Sequence, residues 1–198
     1  SDIVLVELDD ESYRLIPWTY PYPRGEVWAK VLDNLTRAGA KVIVFDFSFD
    51  APDQNSVLLT NYGMNLGFTP PAHGDGVFAN AIIESQRRGT DVILASKRAN
   101  EPTSFPPQYI VLPNPMIMTA NPLTGLTNVI EDKDGFLRRY FTFLPLAHEK
   151  DKLHLTIAMK AVHSYLNMPY DTILKGDAKE QKINYGPLEI STYGETNT

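Results

Sequence analysis

The sequence contains no cysteine, which excludes a disulfide framework and a thiolate metal site. It also has no basic excess, because 18 Lys and Arg residues stand against 24 Asp and Glu residues and the formal net charge is −6. An acidic chain opposes binding to a phosphate backbone, so nucleic acid is not an expected partner. No apolar run approaches the roughly 18 residues that a membrane-spanning helix needs. The chain as given is therefore expected to be soluble.

Sequence motifs of catalysis are also missing. The chain has no GxxxxGK[ST] phosphate loop, no GxGxxG dinucleotide loop, no GxSxG nucleophile elbow and no HExxH metal pair. Its four histidines, at positions 73, 148, 154 and 163, lack the i, i+4 spacing that places two metal ligands on one helix face. We therefore predict no catalytic residue, no metal site and no cofactor for this chain.

The length of 198 residues and the apolar content of 43% suit one domain with a sizeable core. The chain begins without methionine, directly before the apolar run Ile3–Val6, and ends in the polar residues Gly194–Thr198. We predict a single domain over residues 1–198, cut from a longer protein and truncated at its C-terminus.

A strand-helix-strand unit opens the sequence. Residues Ile3–Leu8 and Lys41–Phe47 are nearly continuous apolar runs, which are typical of strands buried on both faces. Between them, apolar residues from Gly25 to Ala38 recur at helical spacing, and Gly39 stands where a helix C-cap is expected. Two strands joined in this way predict a right-handed parallel crossover.

The alternation of helix and strand repeats after a long loop over residues 48–74. Asp75 resembles an N-cap, Gly89 marks the end of the helix, and Val92–Ala95 is a third apolar strand. Tyr109–Leu112 is a further short strand candidate. The alternation of helix and strand is therefore expected to repeat.

The second half of the chain predicts antiparallel structure. Residues 126–130 and 136–144 flank a tight turn at 132–135 and predict a hairpin, followed by a helix over 155–166 and weak strands at 183–185 and 188–190. The predicted fold class is α/β, with a mainly parallel central sheet, flanking helices and an antiparallel hairpin.

Three carboxylates end the first two predicted strands. Asp9 and Asp10 stand at the end of the first strand and Asp46 at the end of the second. In open parallel sheets the ligand crevice lies outside the carboxyl ends of the strands, so these side chains are candidates to hold a ligand or a metal ion. The alternative is that they cap the next helix and satisfy loop amides.

An aromatic loop follows the first predicted strand. It carries Trp18, Tyr20 and Tyr22 between prolines and ends at Arg24. Aromatic side chains in a stiff loop can form the floor of a pocket, and Arg24 can bind a ligand carboxylate or phosphate with two hydrogen bonds. In the alternative that we favour, Arg24 pairs with one of the neighbouring carboxylates Asp9, Asp10 or Asp46 and holds the loop down.

The residues Asp132–Gly135 are similar to part of a calcium-binding loop. The remaining acidic ligands are missing, since position 141 is Phe rather than Glu. A hairpin turn is the favoured interpretation of this segment.

Five ordered segments of the chain resemble the second type of CHASE domain, a sensory extracellular domain associated with cyclases and histidine kinases. The resemblance covers roughly residues 3–166 and rests on residues 3–12, Trp18 with 20–24, 40–49, Asp75 with Phe78, Ala79 and Ile82, and finally Gly125, Asn128, Asp132, Asp134, Gly135, Arg138 and Arg139. Two features depart from the family pattern: the chain stops before a further glycine-rich strand, and Tyr20 and Tyr22 stand where Trp is more frequent.

The resemblance implies an extracytoplasmic sensor of a bacterial receptor, anchored by transmembrane segments absent from this chain. It implies as partners a small-molecule ligand, flanking transmembrane helices and a cytoplasmic output domain that is an adenylate or guanylate cyclase, a kinase or a diguanylate cyclase; a homodimer stays open. This chain would then not be an enzyme, whereas the full-length protein would be a signalling enzyme. The candidate ligand-binding residues are Asp9, Asp10, Trp18, Tyr20, Arg24 and Asp46, with Asn128, Asp134 and Arg138 as an outer shell or opposite wall.

Two alternative functions stay open on the sequence alone. One is a metal-dependent hydrolase or phosphotransferase that uses Asp9, Asp10 and Asp46 on a divalent ion. The other is a structural module that only transmits oligomer contacts between membrane segments.

Overall fold

The computed structural model describes residues 2–58, 61, 73–129, 131–138, 140–177 and 181–192. Its main sheet has four strands: β1 (Val42–Phe45), β2 (Asp91–Asn100), β3 (Gln108–Val111) and β4 (Leu123–Leu126). The long central strand β2 pairs in parallel with β1 and β4 and, through its last four residues, antiparallel with β3. The α/β fold class is therefore confirmed.

The apolar stretch of β2 explains why it occupies the centre of the sheet. Val92, Ile93 and Leu94 are consecutive and each is 0% exposed. Because successive side chains of a strand point to opposite faces, three such residues in a row need a covering layer on both sides. Helices provide both layers.

The helices are α1 (Asp10–Leu15), α2 (Ala29–Arg37), α3 (Gly74–Arg87), α4 (Pro115–Met118) and α5 (Ile157–Tyr165). A π-helical turn, Arg24–Trp28, leads directly into α2. Apolar side chains of α2 and α3 pack on one face of the sheet in the main core, which includes Leu32, Phe78, Ile82, Ile43, Phe45, Val92 and Leu94. Helix α5 contacts β1, β2 and β4.

The predicted helices over residues 25–38 and after Asp75 are both present. Gly39 and Gly89 follow them with φ of 88° and 84°, the left-handed conformation expected just past a helix end. The predicted cap of α3 was wrong by two residues: the N-cap is His73, whose Nδ1 accepts a hydrogen bond from the Asp75 amide at 3.2 Å. Asp75 lies inside the first turn, and its carboxylate forms an ion pair with Arg24 instead of capping the helix.

A cluster of aromatic rings fills the region between α2, α3 and the end of β1. The Trp28 ring lies 4.8 Å from the ring of Phe47 and 6.2 Å from that of Phe49, and Phe49 lies 5.1 Å from Phe78. The pairs are tilted or edge-to-face, the arrangements that aromatic quadrupoles favour. Tyr22 joins the cluster through Trp28 at 6.2 Å and is 3% exposed.

The second half of the chain adds antiparallel strands and α5. A hairpin of β5 (Phe143–Leu146) and β6 (Glu149–Leu155) precedes α5, and a meander of β7 (Leu174–Asp177), β8 (Lys182–Tyr185) and β9 (Leu188–Ser191) follows it. The strands predicted at 183–185 and 188–190 are confirmed. A smaller core of Met159, Met168 and Tyr185 joins α5 to the meander.

The predicted hairpin around residues 132–135 was placed wrongly. Its turn exists, since the Asp132 amide donates to the Phe136 carbonyl at 2.9 Å, but residues 127–129, 131–138 and 140–142 are not strand. Phe136 and Leu137 are 63% and 56% exposed, and a two-stranded ribbon without a buried face is not stable in water. The hairpin forms instead at β5–β6; residues 130 and 139 lie outside the described residues.

The predicted first strand, Ile3–Leu8, was also wrong. Residues 2–9 have no regular secondary structure, and Val4, Leu5 and Val6 are 81%, 78% and 60% exposed. Leu8 is part-buried and packs against the main core. An apolar run becomes a buried strand only where a sheet edge and a covering layer receive it, and local sequence does not specify either. The parallel crossover expected here occurs one unit later, as β1–α3–β2.

Candidate functional site

Arg24 is buried and does not pair with any of the three carboxylates that the sequence suggested. It is 8% exposed, its guanidinium forms an ion pair with Asp75, and its Nη2 donates to the Ala51 carbonyl at 2.7 Å. Asp75 is 1% exposed and lies 51 positions farther along the chain. The loop-holding role is supported, but the predicted partners Asp9, Asp10 and Asp46 were wrong because a contact over this separation leaves no local sequence signal.

A second buried carboxylate completes this network. Asp53 Oδ2 accepts the Arg24 amide at 2.9 Å, and the Asp53 amide donates to Asp75 Oδ2 at 3.0 Å. Gly74 leaves the room for Asp53, since a Cβ there would lie 2.9 Å from Ser56 Oγ and closer still to the Asp53 carboxylate. The network joins the aromatic loop, the segment around Asp53 and the start of α3. The guanidinium of Arg24 therefore binds groups of the protein itself.

The three strand-end carboxylates lie on the surface. Asp9 caps α1: its Oδ1 accepts the Ser12 amide at 2.8 Å and the Ser12 hydroxyl at 2.7 Å, and these bonds, the amide first, lower the pKa of Asp9. Asp10 and Asp46 are exposed. Among the described residues no group of three or more Asp, Glu, His or Cys comes together to hold a metal ion. The hydrolase alternative therefore has no ligand set in this part of the chain.

The aromatic loop forms a partly exposed ring cluster. Trp18 and Tyr20 are 43% and 56% exposed. The Tyr20 ring lies 5.8 Å from that of Tyr22 and 6.4 Å from that of Tyr13. Tyr22 links the rings of Tyr13 and Tyr20 to the main core, so Tyr20 lies at the outer border of that core.

Asn128 binds the backbone of β2. Its Oδ1 accepts the Arg98 amide at 2.5 Å, and its Nδ2 donates to the Arg98 carbonyl at 3.0 Å. The amide thus occupies both backbone hydrogen-bonding groups of Arg98 where β2 leaves β4. Asn128 is a structural residue in this arrangement.

Asp134 and Arg138 form an exposed ion pair in the turn after β4. Arg138 Nη1 donates to Asp134 Oδ1 at 2.8 Å, and this bond is the main cause of the lowered pKa of Asp134. We expect Arg138→Gln to raise the Asp134 pKa toward its ordinary value of 3.8. A lowered carboxyl pKa stabilises the fold above the ordinary value, and the contribution is lost as pH falls through the folded pKa.

Carboxyl-carbon NMR titration measures this shift. Asp50, whose pKa the Lys97 ammonium lowers from a separate position, serves as an internal control and is expected to keep its pKa. An unchanged Asp134 pKa in Arg138→Gln would show that the pair does not form.

A cavity of about 560 Å³ lies elsewhere, between the main sheet, α5 and the meander. Its walls come from β2, β3, β4, the end of β6, α5, residues 170–173 and strands β7 and β8. The lining residues are Ser96, Ile110, Leu112, Thr124, Leu126, His154, Leu155, Lys160, His163, Tyr170, Thr172, Ile173, Leu174 and Tyr185. None of the nine residues proposed from the sequence lines it.

Two residues of α5 give the cavity its polar chemistry. Burial lowers the pKa of Lys160, and burial together with the Lys160 charge lowers the pKa of His163. His163 Nδ1 lies 2.6 Å from the Tyr185 hydroxyl, and burial raises the pKa of that phenol. Burial and the Lys160 charge therefore favour the neutral imidazole of His163, and the Tyr185 hydroxyl fixes its orientation. The sequence signal for this pair was their i, i+3 spacing on a helix, which places both side chains on one side.

Helix α5 lies directly on β4 at Gly125. A Cβ at Gly125 would stand 2.5 Å from the Ile157 Cα and 2.9 Å from the Ile157 nitrogen. Because backbone atoms cannot move aside as a flexible side chain does, only glycine permits this approach. Gly125 thus sets the position of Lys160 and His163 relative to the sheet.

Comparison with known proteins agrees with the resemblance seen in the sequence. No curated protein and no solved structure matches the chain. Among the helices of the described residues, none has the length and apolar character required to cross a membrane. The family model of the CHASE2 domain matches residues 1–196. The chain therefore belongs to the CHASE2 domain family, whose members are sensory extracellular domains and not catalytic ones.

Proposed function

We propose that this chain is the ligand-sensing domain of a membrane-anchored bacterial receptor and that its ligand binds in the cavity between α5, the main sheet and the meander. The main observation that supports this proposal is the size of the cavity. Its volume of about 560 Å³ is typical of a small-molecule site. The receptor would hold this domain outside the cytoplasmic membrane through flanking transmembrane segments. A cyclase, kinase or diguanylate cyclase inside would deliver the response.

The cavity walls suggest how binding would be signalled. Ser96, Thr124 and Leu126 belong to the main sheet, Lys160 and His163 to α5, and Leu174 and Tyr185 to the meander. A ligand that touches all three parts stabilises the arrangement in which they fit it best. The ligand shifts the equilibrium between two arrangements of the sheet, α5 and the meander. The size of the shift is set by the difference between its affinities for the two arrangements.

A thermal-shift screen of the chain tests ligand sensing. Compounds from several chemical classes (organic acids, phosphates, amines, sugars, amino acids and divalent cations) are added singly to the purified protein. A ligand at 100 times its dissociation constant stabilises the native state by about 2.7 kcal/mol, so a true ligand raises the Tm measurably. If no compound of any class raised the Tm, the sensing proposal would lose its support.

A second candidate function, contact between copies of the chain, is favoured by the exposed apolar residues Val4, Leu5 and Val6, which are 81%, 78% and 60% exposed. Adjacent apolar side chains in water are typical of an interaction surface. We expect the chain to self-associate in sedimentation velocity and the double variant Val4→Asp, Val6→Asp to be monomeric. Because these side chains are exposed, the same variant is expected to change the free energy of unfolding by less than about 0.5 kcal/mol.

The matched control for self-association places aspartate at another exposed apolar position, Leu58→Asp, where the side chain is 56% exposed. This variant should associate as the unchanged chain does. A monomeric unchanged chain at high concentration would contradict the contact, and a large loss of stability in the double variant would mean that the segment is buried as a strand.

A further inference from the structure

We propose that the cavity binds a small organic anion whose carboxylate or phosphate group contacts the Lys160 ammonium and whose apolar body lies along the aliphatic wall. This inference rests on the proposed sensing function and names the chemical class of its ligand. It follows from the charge of the lining, the missing partner of Lys160 and the division of the walls into polar and aliphatic parts.

The charge of the lining is opposite to that of the protein. The chain has a net charge of −6, yet the lining holds Lys160, His154 and His163 and contains no Asp or Glu among the described residues. His154 already has a partner, since its Nε2 lies 2.8 Å from Glu149 Oε2. Lys160 is thus the cation that acts on a ligand, and low-dielectric walls strengthen its field inside the cavity.

Lys160 lacks the kind of partner that other lysines have. Lys97 pairs with Asp50 at 2.9 Å, and the Lys41 ammonium donates to the Tyr165 carbonyl at 2.7 Å. In the described ranges, no carboxylate or carbonyl oxygen lies within hydrogen-bonding distance of the part-buried Lys160 ammonium. Burying a cation without a partner costs free energy. An anion bound next to the ammonium offsets this cost.

The remaining walls fit an organic anion better than an inorganic ion. Leu112, Leu126, Leu155 and Leu174 supply an aliphatic surface. The polar remainder of the lining comes from residues that carry hydroxyl groups: Ser96, Thr124, Thr172, Tyr170 and Tyr185. A cavity of about 560 Å³ with one cation and an aliphatic wall suits a ligand that has one anionic head and an apolar body.

The exposed residues of the lining indicate where such a ligand would enter. Tyr170 and Ile173 are 98% and 68% exposed and lie at the rim of the cavity. Lys160 and His163 come from α5 and are part-buried. The apolar body would therefore extend from Lys160 toward these rim side chains.

The test uses compounds of matched size and different charge. Hexanoate, benzoate and hexyl phosphate are compared with the neutral 1-hexanol and benzyl alcohol, with hexylamine, and with acetate and inorganic phosphate, by thermal shift and calorimetry on the full chain. At least one of the three apolar anions is expected to bind about tenfold or more tightly than its neutral counterpart, because a hydrogen bond to a charged group is worth about 1.5–3 kcal/mol. Acetate and inorganic phosphate, which lack the apolar body, are expected to bind more weakly still.

Variants of Lys160 locate the interaction. Lys160→Gln is expected to lose about tenfold or more in affinity for the anion and to remove its advantage over the neutral compound. Lys160→Arg, which keeps the charge, should restore most of it. Lys30→Gln makes the same change of net charge at an exposed position of α2 and should bind as the unchanged chain does.

Three results would overturn the inference: neutral or cationic compounds that bind as well as the anions, an unchanged affinity in Lys160→Gln, or no binding by any anion. If a sugar, amino acid or metal ion stabilised the chain in the wider screen while no anion did, the anion inference would fail and ligand sensing would stand. If no class stabilised the chain, both would fail.

Discussion

Replacing Asp75 with alanine is expected to lower the free energy of unfolding by about 3–5 kcal/mol, because it leaves a buried charge without its partner. Arg24 is 8% exposed and its guanidinium pairs with the Asp75 carboxylate. The variant also removes the acceptor of the Asp53 amide, which donates to Asp75 Oδ2 at 3.0 Å. Urea denaturation followed by circular dichroism measures the loss.

The matched control is an ion pair of the same helix on the surface. Arg87 Nη1 lies 2.6 Å from Glu84 Oε1, and the two side chains are 71% and 54% exposed. Glu84→Ala is expected to cost less than about 1 kcal/mol, since water solvates both groups once the pair is broken. Equal losses in Asp75→Ala and Glu84→Ala would contradict the buried network.

Gly125→Ala is expected to lower the free energy of unfolding by about 1–3 kcal/mol, the usual cost of forcing extra atoms into a packed interior. The added Cβ would meet the Ile157 backbone, 2.5 Å from its Cα. Helix α5 has to move away from β4, which displaces Lys160 and His163 from the cavity wall. Binding in the cavity should therefore weaken together with stability.

The control for this substitution is Gly176→Ala in β7, where an added Cβ meets no atom within 4 Å. That variant is expected to be neutral or stabilised by about 0.4–1 kcal/mol, because alanine loses less conformational entropy on folding. A neutral Gly125→Ala, measured in parallel by denaturation, would show that α5 does not lie against β4 as described.

Elements with a strong local pattern were predicted correctly from the sequence. The helices α2 and α3 have periodic apolar positions and end at Gly39 and Gly89. The core strands β1 and β2 are continuous apolar runs; β2 is buried on both faces, and β1 buries Ile43 and Phe45 in the main core. In each case the local preference and the tertiary environment agree, which makes a segment predictable.

The failures concern segments whose structure depends on a distant partner. Ile3–Leu8 and the segment that begins at Phe136 were predicted as strands from their apolar residues, yet Val4 and Phe136 are 81% and 63% exposed. The apolar pattern shows that a segment can be a strand, but a free edge and a covering layer decide whether it is one. Neither condition can be read from the segment itself.

The candidate site depends even more on distant contacts. The sequence identified Arg24 as a residue that holds its loop but did not identify Asp75, which lies 51 positions away. The cavity collects its walls from separate elements between Ser96 and Tyr185. Only Lys160 and His163, spaced as neighbours on one helix, carried a local signal. A ligand role for the strand-end carboxylates and Trp18 stays a prediction.

Amide NMR titration of the chain with hexanoate tests the central claim most directly, because it locates a bound ligand residue by residue. Binding in the cavity predicts that the largest shift changes fall on Thr124, Lys160, His163 and neighbouring amides of α5 and β4. Changes concentrated at Asp9, Trp18, Tyr20 and Asp46, with α5 unaffected, would contradict the cavity as the ligand site. They would show that the ligand binds at the residues first proposed from the sequence.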